Sequence, residues 1–340
     1  MKVNLKMLSE SLGLSQTTVS RALNGYSDVA ASTRERVAEA ARRLGYQPDP
    51  LARRLATGRT DTVGLVFPFA ATEFGDHRFG EVVDGLTDGL AQHGMDLSII
   101  PTRPGKELDT YRRLIDTRRV DALIVGWTQV EDARIRLLQQ ARFPFLAYGR
   151  THSTAPYPWF DFDNQAGARA AVERLIGLGH RCIGVIHAPL ELNFARQRFD
   201  GYLGALAAAG IARDDSVIAA SPLSRIAGYE AMLALLALPK PPTAVLVDNN
   251  LAGIGALRAL GDKGIKPGRD LSVIVYDGVF ADVPLPYSVS AVIQPTGERS
   301  GRCMAGMIVD VLAGKPVAEL QHLAQPCLEA GDTDGPPPSA

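Results

Sequence analysis

Leu5, Leu8 and Leu12 recur at helical spacing, with Asn4 ahead of them able to accept a backbone N–H bond and Gly13 behind them supplying backbone freedom for a tight turn. After Ser15, which can cap a second helix, Val19 and Leu23 lie four apart and turn inward, while Gln16, Thr17, Ser20 and Arg21 fall on the opposite side. A third periodic stretch starts at Ser32, where Ser32 and Glu35 have capping-box spacing, and runs through Val37, Ala40, Ala41 and Leu44 to Gly45. Three short amphipathic helices around one small core are therefore predicted for the first part of the chain. Next, Pro48 and Pro50 stop the helix, and Leu51, Ala52, Leu55 and Ala56 form a narrow apolar stripe on about two turns. A helix below roughly 12 residues is marginal in water, so this connector should fold only against a partner.

Beyond Arg59 the period changes. TVGLVFPF, DLSIIPT, DALIVGW, FPFLAYG, RCIGVIH, DSVIAAS, TAVLVDNN and DLSVIVYDG are short runs rich in Val, Ile and Leu, mostly separated by stretches of helical character. That alternation predicts parallel sheets covered by helices on both faces. Roughly 270 residues exceed one ordinary domain.

Charge sharpens the division. The whole chain is nearly neutral at -1, yet residues 1–60 hold ten Lys or Arg against five Asp or Glu. A basic head on an acidic body suits phosphate binding, which needs clustered cations that release counterions. The exposed side of the second helix carries matching chemistry: Gln can pair with adenine, Arg with guanine, and a Thr methyl can touch the thymine methyl. An isolated polar helical face reads more simply as a solvated surface. The neighbouring helices and the basic charge turn the balance toward a helix-turn-helix that reads duplex DNA.

Other classes are disfavoured. Cys182, Cys303 and Cys327 are odd in number and far apart, with no CxxC pair, so neither a disulfide framework nor a zinc cluster is indicated, and a reducing cytoplasm fits. No apolar run reaches membrane-spanning length, and the amino terminus reads as the DNA-binding unit instead of a signal peptide. There is no GxGxxG, Walker loop, HExxH or nucleophile elbow; Gly253 and Gly255 in GIGALR read as close packing at a helix start. Neither an enzyme nor a cofactor is expected.

The motifs LSQTTVSRALNG, STRERVAEAARRLGYQPDPLARRLATGRTDTVGLV, LIGLGHRCIGVI, PTAVLVDNNLAGIGALRAL, DLSVIVYDG and IQP, in that order, resemble the lactose-repressor and galactose-repressor family of bacterial transcription regulators over nearly all of residues 4–330. The resemblance implies an all-α helix-turn-helix head (1–47), a hinge helix and linker (48–60), and an α/β two-lobed body like the periplasmic binding proteins (61–330), followed by a disordered tail (331–340). Lobe one is expected near 61–158 and 289–316, and lobe two near 159–288 and 317–330, with three crossovers. DNA contact is expected from Ser15, Gln16, Thr17, Ser20, Arg21 and Asn24, and from Ala52 and Leu55 in the hinge, where Leu55 would enter the minor groove as a wedge.

In the crevice at the carboxyl ends of the strands, the resemblance points to Arg198, Asn249 and Asp277 as effector-binding residues. Simpler roles for them are a surface salt bridge, a strand-to-helix cap and a turn-forming Asp-Gly. Phe74 and Asp76, in TEFGDHRF with His77 and Arg78, and Trp127 would contribute from the first lobe; His77 reads equally as an exposed loop residue, and Trp127 equally as cover for the lobe's edge. Leu223, Gly149 and Asn250 depart from residues common among relatives, so the pocket is no copy of a known one. A carbohydrate is the expected effector class, with a nucleobase or phosphorylated sugar as alternatives. One head covers one half-site, so a homodimer on a palindromic operator is expected, and DTDGPPPSA cannot form the apolar heptad helix of a tetramer. A sugar-responsive repressor is the function implied, against a sugar receptor without DNA activity.

Overall fold

A computed structural model describes residues 3–46, 58–68, 77–103, 105–280 and 282–338. The chain divides into two compact units, Met1–Asp61 and Thr62–Ala340. The connector residues 47–57, including Ala52 and Leu55, and the loop carrying Phe74 and Asp76 lie outside the described residues.

The first unit holds α1 (Leu5–Leu12), α2 (Gln16–Leu23) and α3 (Ala31–Leu44). Asn4 caps α1 by accepting from the Met7 N–H at 3.0 Å, and Gly13 closes it at φ 65°. Ser15 caps α2 through the Thr18 N–H at 3.1 Å. The Ser32–Glu35 capping box is not used. Helix α3 begins one residue earlier, with Ala30 at the cap position and no side-chain cap bond. The turn before it is held instead by Arg34, whose Nη1 donates to the carbonyls of Tyr26 at 3.1 Å and Val29 at 2.7 Å. Leu8, Val19, Ala22, Val29, Val37, Ala40 and Ala41 form the core, and Leu23 packs at its margin.

The second unit contains two six-stranded sheets. Strands β1 (Thr62–Pro68), β2 (Asp96–Thr102), β3 (Ala122–Val125), β4 (Phe145–Tyr148), β5 (Trp159–Phe162) and β11 (Gln321–Ala324) make the first, in the order β11-β5-β4-β3-β1-β2. The second runs β12-β10-β9-β8-β6-β7, from β6 (Ile183–His187), β7 (Ile218–Ala220), β8 (Ala244–Val247), β9 (Ser272–Tyr276), β10 (Ala291–Ile293) and β12 (Cys327–Glu329). Among these described strands every pairing is parallel except β10 with β12. Both faces are covered, which is why β3, β8 and β9 are buried at every residue.

Helices α4 (His77–Ala91), α5 (Glu107–Thr117), α6 (Ala133–Ala141) and α11 (Gly297–Leu312) pack on the first sheet. The second is covered by α7 (Asn164–Gly177), α8 (Asn193–Ala208), α9 (Arg225–Leu236) and α10 (Asn250–Asp262).

The chain crosses between lobes three times, after β5, after β10 and between β11 and β12. This moves the expected boundaries. Residues 159–162 and 321–324 belong to lobe one, and β10 to lobe two, because each strand hydrogen-bonds into that sheet.

The expected disordered tail is corrected more sharply. Thr333 is fully buried and exchanges bonds with Val273: its Oγ1 donates at 2.8 Å and its carbonyl accepts at 2.7 Å. Asp334 accepts from Arg174 at 2.7 Å, and the Gly335 carbonyl accepts from His180 Nε2 at 2.8 Å. Low apolar content signals the lack of a hydrophobic core, whereas this segment is held by hydrogen bonds and one ion pair.

Candidate functional site

In the first unit, Gln16, Thr17 and Arg21 are exposed along one side of α2, and Ser20 is half-buried between them. They form a shallow groove with Leu5, Asn24 and Tyr26. Two predicted residues already carry structural duties. Ser15 is spent on capping, and Asn24 Nδ2 donates to the Ser20 carbonyl at 2.9 Å. Two residues that spacing did not single out, Tyr26 and Asp28, flank Arg21. Asp28 lies 2.6 Å from Arg21 Nη2, and the Arg21 guanidinium sits 4.9 Å from the Tyr26 ring centroid.

In the second unit the lobes enclose a cleft. Its lining brings together Trp127, Arg198, Asn249 and Asp277, together with Arg78 and the three departures Gly149, Leu223 and Asn250. His77 stays outside it, 73% exposed and facing Glu81 at 4.0 Å, because it begins α4 one residue before the side that faces the cleft.

Arg198 is the most constrained of these groups. It projects from α8 with its side chain 6% exposed, donating from Nε to Asn164 Oδ1 at 2.9 Å and from Nη1 to the Asp248 carbonyl. Its guanidinium lies over Tyr276 at 3.5 Å and near Phe194 at 4.8 Å. Nη2 is 3.5 Å from Asp277, so Arg198 is a buried cleft cation and not a surface salt bridge. From the opposite lobe, Arg78 reaches Asp277 Oδ1 at 3.3 Å. That oxygen is buried and accepts no hydrogen bond within the described residues.

Asn249 does cap α10, accepting from the Ala252 N–H at 2.8 Å, and its Nδ2 donates to Asp248 at 2.8 Å. Asp248 is buried beneath it, and burial raises its carboxyl above the usual range against the opposing pull of Arg198, Asn249 and the Ala188 N–H.

The two strand-end residues share a backbone feature. Trp127 has φ 43° and Asp277 φ 67°, left-handed conformations that cost ordinary residues free energy and gather at functional sites. Trp127 is held there by Arg134, whose Nη2 donates to its carbonyl at 2.9 Å. Arg134 in turn forms a buried pair with Asp132 at 2.6 Å. Burial alone would raise the Asp132 carboxyl, but Arg134 and the Gln129 N–H hold it below its ordinary value. The Trp127 ring stacks on Phe79 at 5.8 Å and meets Phe67 edge-on at 4.7 Å, leaving an aromatic wall on the lobe-one side.

Gly149 has a steric reason. A Cβ there would lie 2.3 Å from Thr128 Oγ1, and φ is 111°. Beside it the lobes are tied by backbone: the Asn193 N–H donates to the Thr128 carbonyl at 2.8 Å and the Val130 N–H to the Glu191 carbonyl at 2.9 Å. The cleft also includes Asp161, Asn164 and Gln294, which spacing did not flag. Asp161 is paired with Arg150 at 2.7 Å. Among the described residues, no cluster of His, Cys, Asp and Glu could hold a metal ion, and no helix is long and apolar enough to cross a membrane.

The chain is similar to known proteins over almost its whole length. Residues 60–325 match the description "Periplasmic binding proteins and sugar binding domain of LacI family", and residues 10–49 match "Bacterial regulatory proteins, lacI family". The HTH-type transcriptional regulator RafR of Escherichia coli is 42% identical, covering 97% of this chain and 98% of that protein. Among solved structures, the transcriptional regulator CelR–cellobiose complex is 30% identical with TM-score 0.72, covering 98% of this chain and 100% of that one. The lac repressor dimer bound to operator and the anti-inducer ONPF is 26% identical with TM-score 0.80, over 98% and 99% of the two chains.

Proposed function

The chain belongs to the LacI family of bacterial regulatory proteins, and on that premise we propose that it is a repressor whose hold on operator DNA is set by a neutral carbohydrate in the interlobe cleft. Within this reading, Gln16, Thr17, Ser20 and Arg21 meet base edges in the major groove, and Leu55 and Ala52 act in the minor groove as two hinges come together. A homodimer would match a palindromic operator and act in the cytoplasm, where the DNA lies. The cleft is a binding site and not a catalytic centre.

The observation that carries the effector class is the buried Asp277 Oδ1, which accepts no hydrogen bond among the described residues although two arginines face the carboxylate. A ligand hydroxyl could donate to it without bringing charge. The Asp277 carboxylate stands between Arg78 and Arg198 and Asp161 pairs with Arg150, so much of the positive charge an anionic ligand would need is already offset. The Trp127 and Phe79 rings suit the apolar face of a pyranose. CelR, solved with cellobiose, gives a saccharide precedent in a relative.

Thermal shift of the full-length protein against neutral mono- and disaccharides tests this. A saccharide present at 100 times its Kd should add about 2.7 kcal/mol of stability. A shift with sugar phosphates or nucleosides and none with neutral sugars would overturn the carbohydrate assignment. Removing residues 1–60 should abolish duplex binding and leave the saccharide shift intact. A sugar receptor without DNA activity would bind no operator even at full length.

A further inference from the structure

We infer that Asp28 is a positioning residue for DNA reading: it holds Arg21 so that only the end-on edge of the guanidinium is offered to a base, and thereby sets a guanine preference. The inference rests on the proposed role of the head in binding DNA and adds a residue that contacts no base itself.

The geometry is a side-on fork. Arg21 Nε donates to Asp28 Oδ1 at 3.3 Å, and Nη2 lies 2.6 Å from Oδ2. A guanidinium has five N–H donors, and a carboxylate on the Nε/Nη2 side leaves one outward N–H on each terminal nitrogen. Those two match the paired acceptors O6 and N7 of guanine in the major groove. The Tyr26 ring, 4.9 Å from the guanidinium carbon, limits rotation out of that plane.

Both supports come from one stiff turn. Gly25 at φ 72° reverses the chain after α2, the Tyr26 N–H donates to the Arg21 carbonyl at 3.1 Å, and Arg34 clamps the carbonyls of Tyr26 and Val29. Arg21 and Asp28 side chains remain 45% and 55% exposed, so an isolated pair of this kind would be weak. Two-point contact and ring stacking are what make this one directional. An acid at the edge of a basic DNA-facing surface also opposes phosphate attraction, which lowers binding to every sequence alike.

The test is selection of full-length protein on random-sequence duplexes, comparing the wild type with R21K, D28A, D28N and D28E. The wild type should enrich a two-fold symmetric motif with guanine at one symmetric pair of positions, preferred about tenfold or more. R21K should lose that preference. D28A and D28N should reduce it to a few-fold at the same pair only, with the other positions unchanged, and should bind non-matching duplexes more tightly. D28E, which keeps the carboxylate, should restore most of it. Far-UV circular dichroism of each variant monitors folding, and D28N, nearly isosteric, carries the test if D28A unfolds. Wild-type base preferences in both D28A and D28N overturn the positioning role while leaving the head a DNA reader. A wild type that enriches no motif removes the DNA reading itself, and the inference with it.

Discussion

The recognition surface and the cleft are built in opposite ways. The first comes from one short segment, residues 15–28, whose groups are exposed and held by local bonds. The second is assembled from strand ends and crossovers far apart in the chain, with Arg198, Asp248 and Asp277 buried or nearly so. Changes in the first should therefore alter what is bound with little effect on stability. Changes in the second should couple binding to the integrity of the body, since an uncompensated buried charge costs several kcal/mol.

The sharpest way to break this contrast is Arg198→Leu. It leaves Asp277 with Arg78 alone, and should abolish any saccharide-dependent thermal shift and cost about 3 kcal/mol of body stability by urea unfolding. Retention of both would make the cleft as tolerant as the surface. Next in size is Gly149→Ala, which drives a methyl into Thr128 and keeps a left-handed backbone, with an expected loss of about 2 kcal/mol. Thr128→Ala in the same chain should recover part of it; simple additivity in the double mutant would mean the two side chains do not meet. In the head, Ser15→Ala removes the α2 cap and should cost about 1 kcal/mol in the head's melting transition, leaving saccharide binding unchanged.

The smallest effect is one of pH. Burial holds the His180 imidazole below its ordinary 6.5, partly offset by its bond to the Gly335 carbonyl. The unfolded chain then takes up a proton more readily than the folded one, so stability is full above about 6.5 and falls as pH drops toward the depressed folded value. Urea midpoints at pH 7.5 and 5.5 should differ less in His180→Asn than in the wild type; an equal difference would assign the acid sensitivity to other groups.

What was legible follows the same contrast. The runs AVLV in β8 and SVIVY in β9 announce buried parallel strands because, Ser272 apart, they are unbroken stretches of β-branched, aliphatic and aromatic residues. QHLA in β11 and CLE in β12 announce nothing, being short and polar edge strands defined by their neighbours. The α2 surface could be listed from spacing, yet Asp28 could not, since its role depends on a turn that brings it back beside Arg21. Arg198 and Asp277 were reached through resemblance, and the structure gives the physical reason they adjoin: α8 and the end of β9 meet over Tyr276. Asp161, Asn164 and Gln294 lie at the ends of elements that flank the crossovers, where proximity reflects the path of the chain and leaves no periodic trace. Asn249 shows a different limit, for its capping and cleft-lining positions coincide.

Strands β11 and β12 complete the outer edges of both sheets from residues 321–329. A ribosome making this protein must thus have passed residue 320 before either lobe can close its hydrogen-bond ladder. Until then Trp159–Phe162 in one sheet and Ala291–Ile293 in the other lack their last neighbour, and each is a place where nascent copies could pair with one another. Yield in the cell should respond to how quickly residues 321–329 emerge.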